Sequence, residues 1–589
     1  MNRFRFAATL GLGIALVDLA GAARSGEPDP PALASRSRQP SALVLSRDGA
    51  RLYVANRRSG GISVVDPRTA RVVAEHDVGR GLADLAALPD GRHLLAVDET
   101  DDAILLLELS ADAVTARQRL SVPPGPVSVR VLGDGSACVV ASLRSQCLTF
   151  LTWDGSRMAG APTLRTSGSL DLPFPPRLMA SVREGKKLIV ADAFGGRLAV
   201  VDVERKAVES VRGLGAHNIR GLAAAPDGLS VMLAHQVLQR AIPTDHEGVH
   251  WGRLMGNFLR VLSVDSLLSA RSDADLIRDA RLIDLGGFGN AAGDPAAIAF
   301  DRAGGLAIAL AGVDGLALAE GPSAPMRRVG VGRRPTALAV SPEDGRWYVA
   351  DSLDDTVSVV DPVKGRRLAT IRLGPRPERD EAGRGERLFS DARLSHDGWM
   401  SCASCHADGH TIGLRGDTLG DGDYGASKLI PTLLGVGDTG PWGWDGRFAR
   451  LEDQIRQSIA STMQGTPPTD SKVADLAAFL RALAPASPSA PAGERETRGR
   501  AVFRAQGCAE CHAPPQYTTP KRYDVGLADE NGRRRFNPPS LRGVGARGTL
   551  LHDGRAGTLE DVFLKHRHPN DTDWDAAEVA DLAAFLKTL

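Results

Sequence analysis

Two short motifs in the second half of the chain contain the residues best suited to chemistry. Each is a Cys-x-x-Cys-His sequence, and the residues are Cys402, Cys405, His406, Cys508, Cys511 and His512. Two cysteines at this spacing can form thioethers with both vinyl groups of one haem, while the adjacent histidine turns its imidazole toward the iron. The motifs therefore predict two covalently bound c-type haems, with His406 and His512 as proximal iron ligands.

Two other uses of Cys-x-x-Cys pairs fit this chain less well. A zinc site built from both pairs usually has them about 15 to 20 residues apart, whereas Cys508 follows Cys402 by 106 residues. A thiol redox motif is expected beside a βαβ unit, and the flanking sequence does not show one.

The N-terminus predicts export, which covalent c-type haem requires. MNRFRF places two arginines before the apolar run AATLGLGIALVDLAGA, which ends in small residues. This order is typical of a secretory signal peptide, which we assign to residues 1–23, with a linker over 24–38. The alternative is an anchor helix, but the run contains Asp18 and is shorter than the roughly 20 apolar residues of a membrane span. We expect a periplasmic or otherwise extracytoplasmic protein without a transmembrane anchor.

Length and charge limit the classes of function. A chain of 589 residues is too long for one core and predicts three or four units. The 71 basic and 71 acidic residues balance, and the sequence pI is about 7.2. The chain has no excess of positive charge to attract nucleic acid, so we expect no nucleic-acid partner.

A repeat occupies the first two thirds of the chain. Its clearest copies are SRDGARLYVANRRSGGISVVDP and SPEDGRWYVADSLDDTVSVVDP. Each copy begins with a turn that contains a glycine, followed by an apolar strand, a polar turn and a second apolar strand. The turn glycines are Gly49, Gly91, Gly135, Gly185, Gly228, Gly305 and Gly345. Their spacing, mostly about 40 to 50 residues, is that of propeller blades. We predict an all-β seven-bladed propeller over residues 39–374, because the alternative of two β-sandwiches would not repeat at one period.

One gap between turn glycines is longer than the others and contains IPTDHEGVHWGRLMGNF. Such an insertion lies on one face of a ring and can meet a partner or another domain. Four histidines in this region are either metal or haem ligands or hydrogen-bonded structural groups: His217, His235, His246 and His250. Cys138 and Cys147 lie on consecutive predicted strands, where they form a disulfide or pack as free thiols.

The last third of the chain contains a duplication. The octamer VADLAAFL occurs at 473–480 and again at 579–586, 106 residues apart like the two haem motifs. WDGRFARLEDQ and HDGRAGTLEDV form a third pair in the same order. Apolar residues in the octamer recur at helical spacing. We predict two mostly α-helical cytochrome c domains, over 383–484 and 494–589, joined by a proline-rich linker over 485–493.

These segments resemble a known family. LFSDARLSHDGWMSCASCH, IPTLLGVG and WDGRFARLEDQ are similar to the first haem domain of bacterial dihaem cytochrome c peroxidases and of the related enzyme that matures methylamine dehydrogenase. NPPSLRGVGARGTLLHDGRAGTLEDV is similar to the second domain. In the first two thirds, LYVAN and TVSVVDP resemble the YVTN type of bacterial propeller repeat.

The resemblance implies distinct roles for the two haems. In that family the first haem is peroxidatic, and the second receives electrons and takes a sixth ligand from eight residues after the start of its TLE motif. Counting from Thr558, this position is His566, where the relatives have Met or Tyr. His568 is a close competitor, and the alternative is that both are solvated surface histidines.

The first copy departs further from the family pattern. The stretch that should carry the removable His and the catalytic Glu is ASTMQG, which contains Met463 and no Glu. We expect Met463 to be either an axial ligand or a core residue, with His410 as the other candidate ligand. The bridging Trp of the family is missing at its aligned place, although Tyr424, Trp442 and Trp444 lie near it.

Together these features predict an oxidoreductase. The leading hypothesis is an exported dihaem c-type cytochrome that exchanges electrons with a redox partner protein, with peroxidase-like reduction of hydrogen peroxide at the first haem. The propeller would serve as a docking platform. The alternatives are a propeller-based binding or scaffold protein with a redox-sensing cytochrome, and a propeller enzyme that feeds electrons to the haems. The family also implies calcium between the haem domains, although the sequence does not place its ligands.

Overall fold

The computed structural model describes residues 36–154, 163–489, 493–569 and 572–589. The predicted signal peptide and most of the linker after it lie outside these residues. Among the residues described, no helix is both long enough and apolar enough to cross a lipid bilayer.

The first two thirds of the chain form a seven-bladed propeller. Within the described ranges, 28 strands make seven four-stranded sheets, each an antiparallel meander of four consecutive strands. The second and third strands of most blades are buried along nearly their whole length, as in LYVAN and GISVVD, because adjacent blades cover both faces of each sheet. The predicted fold class is confirmed, while the YVTN subtype stays a prediction.

The strands of the first four blades are β1 (Pro40–Leu45), β2 (Leu52–Asn56), β3 (Gly61–Asp66), β4 (Arg71–Asp77), β5 (Leu82–Ala87), β6 (His93–Asp98), β7 (Ala103–Ser110), β8 (Ala113–Ser121), β9 (Pro126–Leu132), β10 (Ala137–Ser142), β11 (Cys147–Asp154), β12 (Thr163–Asp171), β13 (Pro176–Val182), β14 (Lys187–Asp192), β15 (Arg197–Asp202) and β16 (Ala207–Gly213). Those of the last three blades are β17 (His217–Ala224), β18 (Ser230–Leu238), β19 (Met255–Ser263), β20 (Arg281–Asp284), β21 (Pro295–Phe300), β22 (Leu306–Leu310), β23 (Gly315–Ala319), β24 (Arg327–Gly330), β25 (Pro335–Val340), β26 (Trp347–Asp351), β27 (Thr356–Asp361) and β28 (Arg366–Arg372).

The ring closes by packing between its first and last blades. The first strand of each blade contacts the first strands of its two neighbours, and β1 packs against β25 to complete the circle. Each of these two blades is built from consecutive strands, so no strand is exchanged between them. Polar contacts support the closure, because Arg38 donates to the Pro375 carbonyl at 3.0 Å and the Gln39 amide donates to Asp355 at 2.8 Å.

The turn glycines mark the first hairpin of each blade, with one correction. In the sixth blade the residue with a left-handed backbone is Gly304, at a φ of +89°, and not the predicted Gly305. Gly305 follows it, and both its amide and that of Ala303 donate to the Asp301 carboxylate. The turn is therefore shifted by one residue because Asp301 organises it.

The long gap corresponds to two excursions from the fifth blade. The first, between β18 and β19, contains the short helix α1 (His246–His250), and the second carries α2 (Val264–Ser269) and α3 (Asp273–Asp279) between β19 and β20. Cys138 and Cys147 are buried free thiols on adjacent strands, where Cys138 pairs with Leu151 and Cys147 with Ser142.

The last third is mostly helical and duplicated. Its helices are α4 (Glu381–Phe389), α5 (Cys402–Cys405), α6 (Leu451–Gln457), α7 (Asp470–Ala482), α8 (Glu494–Ala505), α9 (Leu559–Leu564) and α10 (Ala576–Leu586). Two small ribbons add β29 (Arg415–Gly416), β30 (Lys428–Leu429), β31 (Tyr523–Asp524) and β32 (Arg535–Phe536). The repeated octamer lies in α7 and α10, so its prediction as a closing helix is confirmed. The predicted domain boundaries stay predictions.

The two helical domains each contain the same type of helix-helix crossing. Helix α4 packs on α7, and α8 packs on α10. Each crossing is closest at a glycine, because a Cβ on Gly385 would lie 2.0 Å from the Asp475 carbonyl oxygen and one on Gly499 would lie 1.9 Å from that of Asp581. An arginine next to each glycine pairs with the same aspartate: Arg384 with Asp475 at 2.8 Å, and Arg498 with Asp581 at 2.7 Å.

The first helical domain covers one face of the ring. At the centre of this contact, Asp408 pairs with Arg177 of β13 and with Arg220 of β17, two innermost strands. Further out, Arg393 pairs with Asp314 at 2.6 Å. Another ion pair, between Arg387 and Asp354 at 2.8 Å, joins α4 to the seventh blade. Contacts from several blades thus fix this domain over the mouth of the propeller.

We predict that alanine at either crossing glycine destabilises its own domain. Gly385→Ala and Gly499→Ala should each cost about 1 to 3 kcal/mol, because the two helix backbones must separate. Thermal unfolding of the haem-loaded protein, followed by circular dichroism, measures the effect. The control is Gly383→Ala in the same helix, where the nearest atom to a new Cβ is the flexible Asp380 side chain at 3.1 Å. Equal melting temperatures for all three variants would contradict the close crossing.

Candidate haem-binding sites

The first Cys-x-x-Cys-His motif is held by hydrogen bonds from both its own helix and the propeller. Ser401 caps α5 by accepting from the Ala403 amide at 3.1 Å, and Ser404 accepts from the Ser401 amide at 2.9 Å. Both hydroxyls donate to the carboxylate of Asp294, a residue just before β21 of the sixth blade. Burial raises the pKa of Asp294, and the two hydroxyls oppose this rise. The propeller thus orients the first motif directly.

His406 is oriented as a proximal ligand requires. Its Nδ1 lies 2.9 Å from the carbonyl oxygen of Pro431, so this nitrogen carries the proton and Nε2 is the atom left for an iron. Burial lowers the pKa of His406 to about 4. The imidazole is therefore neutral near pH 7, which is the form that binds a metal.

The second motif repeats this arrangement on a shorter helical turn. Cys508 follows Gly507, whose φ of +67° lets the chain turn into the motif. Nδ1 of His512 lies 3.2 Å from the carbonyl oxygen of Tyr517. Burial, and secondarily the neighbouring His568, lower the pKa of His512 to about 4. Both motifs thus present a neutral imidazole anchored through Nδ1.

Two buried nitrogen atoms near the motifs indicate whether the surrounding side chains suit two haems. Nδ1 of His568 and Nε of Arg547 are buried and have no hydrogen-bond partner among the described residues. Arg547 lies near both motifs, because its charge contributes to lowering the pKa of His410 and of His512. An imidazole suits a haem iron, and a guanidinium suits a haem propionate. The residues therefore fit two haems, one beside each motif.

The candidate sixth ligands of the second haem differ in their surroundings. His568 lies close enough to His512 to affect its pKa, and burial lowers the pKa of His568 itself to about 4. His566 directs Nε2 to the carbonyl oxygen of Arg555 at 3.2 Å. The assignment of His566 as sixth ligand stays a prediction, with His568 as its competitor.

In the first domain, Met463 is 4% exposed and packs in the core with Cys402 and Ile459. His410 places Nδ1 2.9 Å from the Thr432 hydroxyl and packs edge-on against Phe194 of the propeller. Burial, and secondarily Arg547, lower the pKa of His410 to about 4. Met463 as an axial ligand stays a prediction.

The two haem domains meet through matched positions of the duplication. Trp444 of WDGR and His552 of HDGR are equivalent residues, and their rings contact each other at a centroid distance of 6.5 Å. His552 also stacks on Phe536 at 4.2 Å. Of the aromatic residues near the place of the missing bridging Trp, Trp444 thus lies at the interface of the two domains.

A lysine occupies the position between acidic residues of the two haem domains. Nζ of Lys428 lies 3.0 Å from a carboxylate oxygen of Asp421 and 3.0 Å from one of Asp529. Arg533 also pairs with Asp421 at 3.0 Å. A calcium ion needs six to eight oxygen ligands, and here the carboxylates are neutralised by protein cations. Calcium as a further cofactor therefore stays an untested expectation.

The histidines of the fifth blade separate into two pairs. His217 and His235 are buried within the blade, and burial lowers the pKa of each to about 3. His246 and His250 lie on α1, next to the first haem domain. The structure places His246 and His250 at the surface beside the first haem domain, and it places His217 in the interior, close to the Ser404 backbone of the first haem motif.

Three residues that hold the first site were not identified from the sequence: Asp294, Asp408 and Arg547. Burial alone would raise the pKa of Asp408, but Arg177 and Arg220 outweigh this effect and hold it well below the usual range. Asp408 follows His406 by two residues, and this closeness in the sequence was the signal that could have identified it.

Comparison with known proteins agrees with this geometry. Residues 380–485 match the family described as di-haem cytochrome c peroxidase. The methylamine utilization protein MauG of Methylorubrum extorquens is 30% identical over 273 residues, which cover 35% of this chain and 76% of MauG. The chain belongs to the di-haem cytochrome c peroxidase family. As a member it is an oxidoreductase of the peroxidase type with two c-type haems, so these predictions are confirmed.

Another curated relative and one solved structure are also similar to parts of this di-haem peroxidase family member. Cytochrome c551 peroxidase of Nitrosomonas europaea is 28% identical over 268 residues, covering 36% of this chain and 80% of that protein. A solved structure of hydrazine synthase from Kuenenia stuttgartiensis, at 18% identity and a TM-score of 0.48, covers 57% of this chain and 99% of its own.

The two buried histidines of the fifth blade predict loss of stability in acid. Their pKa falls from 6.5 to about 3 on folding, so below pH 6.5 the unfolded chain binds protons that the folded chain does not. Stability is complete above pH 6.5 and falls as the pH drops toward 3. At pH 4.5 the loss should be about 2 to 3 kcal/mol for each histidine.

His217→Leu should remove one of these two contributions. Denaturant unfolding at pH 7.5 and at pH 4.5 measures the difference for the wild type and for the variant, so that any packing cost of the leucine cancels. An unchanged pH dependence in His217→Leu would show that this histidine is protonated in the folded protein.

Proposed function

We propose that the protein is an exported di-haem cytochrome c peroxidase that takes electrons from a redox partner protein and reduces hydrogen peroxide. One haem is attached at Cys402 and Cys405, the other at Cys508 and Cys511. The observation that carries the proposal is the matched pair of Cys-x-x-Cys-His motifs, each with a histidine anchored through Nδ1 to a carbonyl. Export, proposed from residues 1–23, supplies the compartment in which c-type haem is attached.

The chemistry of such a site depends on its sixth ligand. When bound, a c-type haem supplies one-electron chemistry at its iron, and a firmly held sixth ligand restricts it to electron transfer whereas an open position admits a substrate. The residues around each site decide whether its sixth position is firmly occupied or open.

At the second site we propose His568 as the sixth ligand and electron transfer as the role. His568 lies close to His512, and its Nδ1 atom is buried without a hydrogen-bond partner among the described residues. Two imidazoles give a lower potential than an imidazole with a methionine. The second site is therefore the donor side of the pair.

At the first site we propose that Met463 is a weak or removable ligand and that peroxide reacts there. The thioether is buried in the same core as Cys402, and it lies within the segment that follows the distorted end of α6. The stretch ASTMQG contains no Glu, so the family's acid/base residue has no counterpart there.

Electrons would pass between the sites through the aromatic contact of the two domains. Trp444 belongs to the first domain, and His552 and Phe536 belong to the second. The Trp444 indole is fixed by a hydrogen bond of 2.9 Å to the Leu429 carbonyl, and the Leu429 amide donates to the His552 carbonyl at 2.7 Å. These bonds keep the rings in contact.

We propose that the propeller is a platform for the first haem domain. Asp294 and Asp408 tie that domain to the ring on both sides of the attachment motif. The redox partner would then dock on the second domain. The alternative, a binding propeller with a redox-sensing cytochrome, is less well supported because several ion pairs and hydrogen bonds join the ring to the first haem domain.

The sixth ligand of the second haem is tested by a pair of alanine variants. We expect His568→Ala to convert one low-spin iron to high-spin in the EPR spectrum and to raise the potential of that haem. His566→Ala, two residues away, is the matched control and should leave the spectrum unchanged. The opposite result would assign the ligand to His566.

The function itself is tested by peroxide consumption with a reduced electron donor. We expect turnover in the wild type and its loss in Cys402→Ala/Cys405→Ala, which should retain half of the covalent haem. Met463→Ala should react with peroxide faster, because it removes a ligand. If both irons of the wild type stay low-spin and do not react with peroxide, the protein is an electron carrier and the peroxidase proposal is wrong.

A further inference from the structure

Three histidines from two distant parts of the chain meet at the edge of the propeller. His246 and His250 lie on helix α1 of the fifth-blade insertion, and His396 lies in the turn that precedes the first haem motif. One ring nitrogen from each histidine can be chosen so that all three atoms lie within 4.8 Å of one another. We call this group the three-histidine cluster.

The rings are arranged as a group of donors. His246 and His250 are four residues apart on one helix and stack at a centroid distance of 5.1 Å. Nδ1 of His250 lies 2.7 Å from Nε2 of His396, and the ring of His246 meets that of His396 at 5.1 Å. His246 is exposed and the other two are half-buried, so ions in solution can reach the cluster.

The backbone around the cluster is fixed by contacts that do not involve its rings. Asp245 caps α1 by accepting from the Gly248 amide at 2.7 Å. The Trp399 indole donates to the His250 carbonyl at 3.3 Å, and the His396 amide donates to the Met463 carbonyl at 3.0 Å. The donors are therefore held together by the docking of the insertion on the first haem domain.

An acidic oxygen lies beside the cluster. Oδ2 of Asp397 is 3.6 Å from Nε2 of His396, and the same oxygen accepts from the Gly289 amide at 3.3 Å. Three imidazoles with one carboxylate or water complete a four-coordinate site. Calcium and magnesium prefer oxygen donors, so an imidazole set selects among transition metals.

We propose that His246, His250 and His396 bind one divalent transition-metal ion, either Zn²⁺ or Cu²⁺, with Asp397 or a water molecule as fourth ligand. The ion would cross-link the propeller insertion to the first haem domain, six residues before Cys402. The site is separate from the haem irons and does not depend on the proposed peroxidase function. The competing explanation is that the rings only hydrogen-bond to one another.

The test uses the haem-loaded protein after treatment with a chelator. Isothermal titration with Zn²⁺ alone and with Cu²⁺ alone measures the stoichiometry and affinity for each ion. For Cu²⁺, the EPR spectrum after subtraction of the Zn²⁺-loaded sample reports whether imidazole nitrogens are bound to the copper. We expect one equivalent of at least one of these ions to bind, with nitrogen hyperfine structure if the ion is Cu²⁺.

Variants locate the ion. His246→Gln and His396→Gln should each weaken binding by about 100-fold or more, because loss of a ligand should exceed the roughly 10- to 100-fold effect of losing an outer-shell partner. The matched control is His76→Gln on an outer strand of the first blade, where the ring lies 2.8 Å from the Asp112 carbonyl. This variant should bind as the wild type does.

Three outcomes would overturn the proposal: no binding of either ion, equal affinity in the wild type and in both cluster variants, or loss of binding in His76→Gln as well. His246 is exposed, so His246→Gln should fold normally, and an unchanged haem absorbance spectrum verifies this. A normal spectrum with weakened metal binding supports the site even if peroxide turnover is absent.

Discussion

The ion pairs of Asp408 at the mouth of the propeller anchor the first haem domain to the ring. Arg177 and Arg220 project from innermost strands of adjacent blades and converge on this one carboxylate. The Arg177 and Arg220 side chains keep 12% and 19% of their surface exposed, whereas that of Asp408 keeps 32%. Removing one partner would leave the others with an unbalanced charge in a partly buried contact. The ring and the first haem domain therefore each supply the counter-charge of the other.

The position of Asp408 links this contact to the haem chemistry. It follows His406 by two residues, so the same turn carries the histidine proposed as proximal ligand and the ion pair that joins this turn to the ring. Asp294 binds the other end of the motif through Ser401 and Ser404. The propeller thus orients the first attachment motif from both ends, while the second motif depends on its own domain.

Because the propeller forms hydrogen bonds with the first motif and, among the described residues, none with the second, the two copies of the duplicated domain have different surroundings. Their crossings are alike, with Gly385 and Gly499 at matched places and an arginine-aspartate pair beside each. Their interface joins equivalent residues, Trp444 and His552, with different rings. A duplicated fold supplies two similar cofactor sites, and the contacts outside each copy decide how each site behaves.

Features that rest on local pattern could be predicted from the residues alone. Blade period, helical spacing in VADLAAFL and the two Cys-x-x-Cys-His motifs depend on residues that are close in the chain, so their structure follows from short-range geometry. The turn at Gly304 was missed by one residue because Asp301 places it. The contacts between side chains from distant segments became visible in the folded molecule and not before. His568 faces His512 because the chain turns after α9 ends, and His250 meets His396 because the insertion docks on the haem domain. Such contacts depend on how whole domains pack, and no local periodicity encodes that.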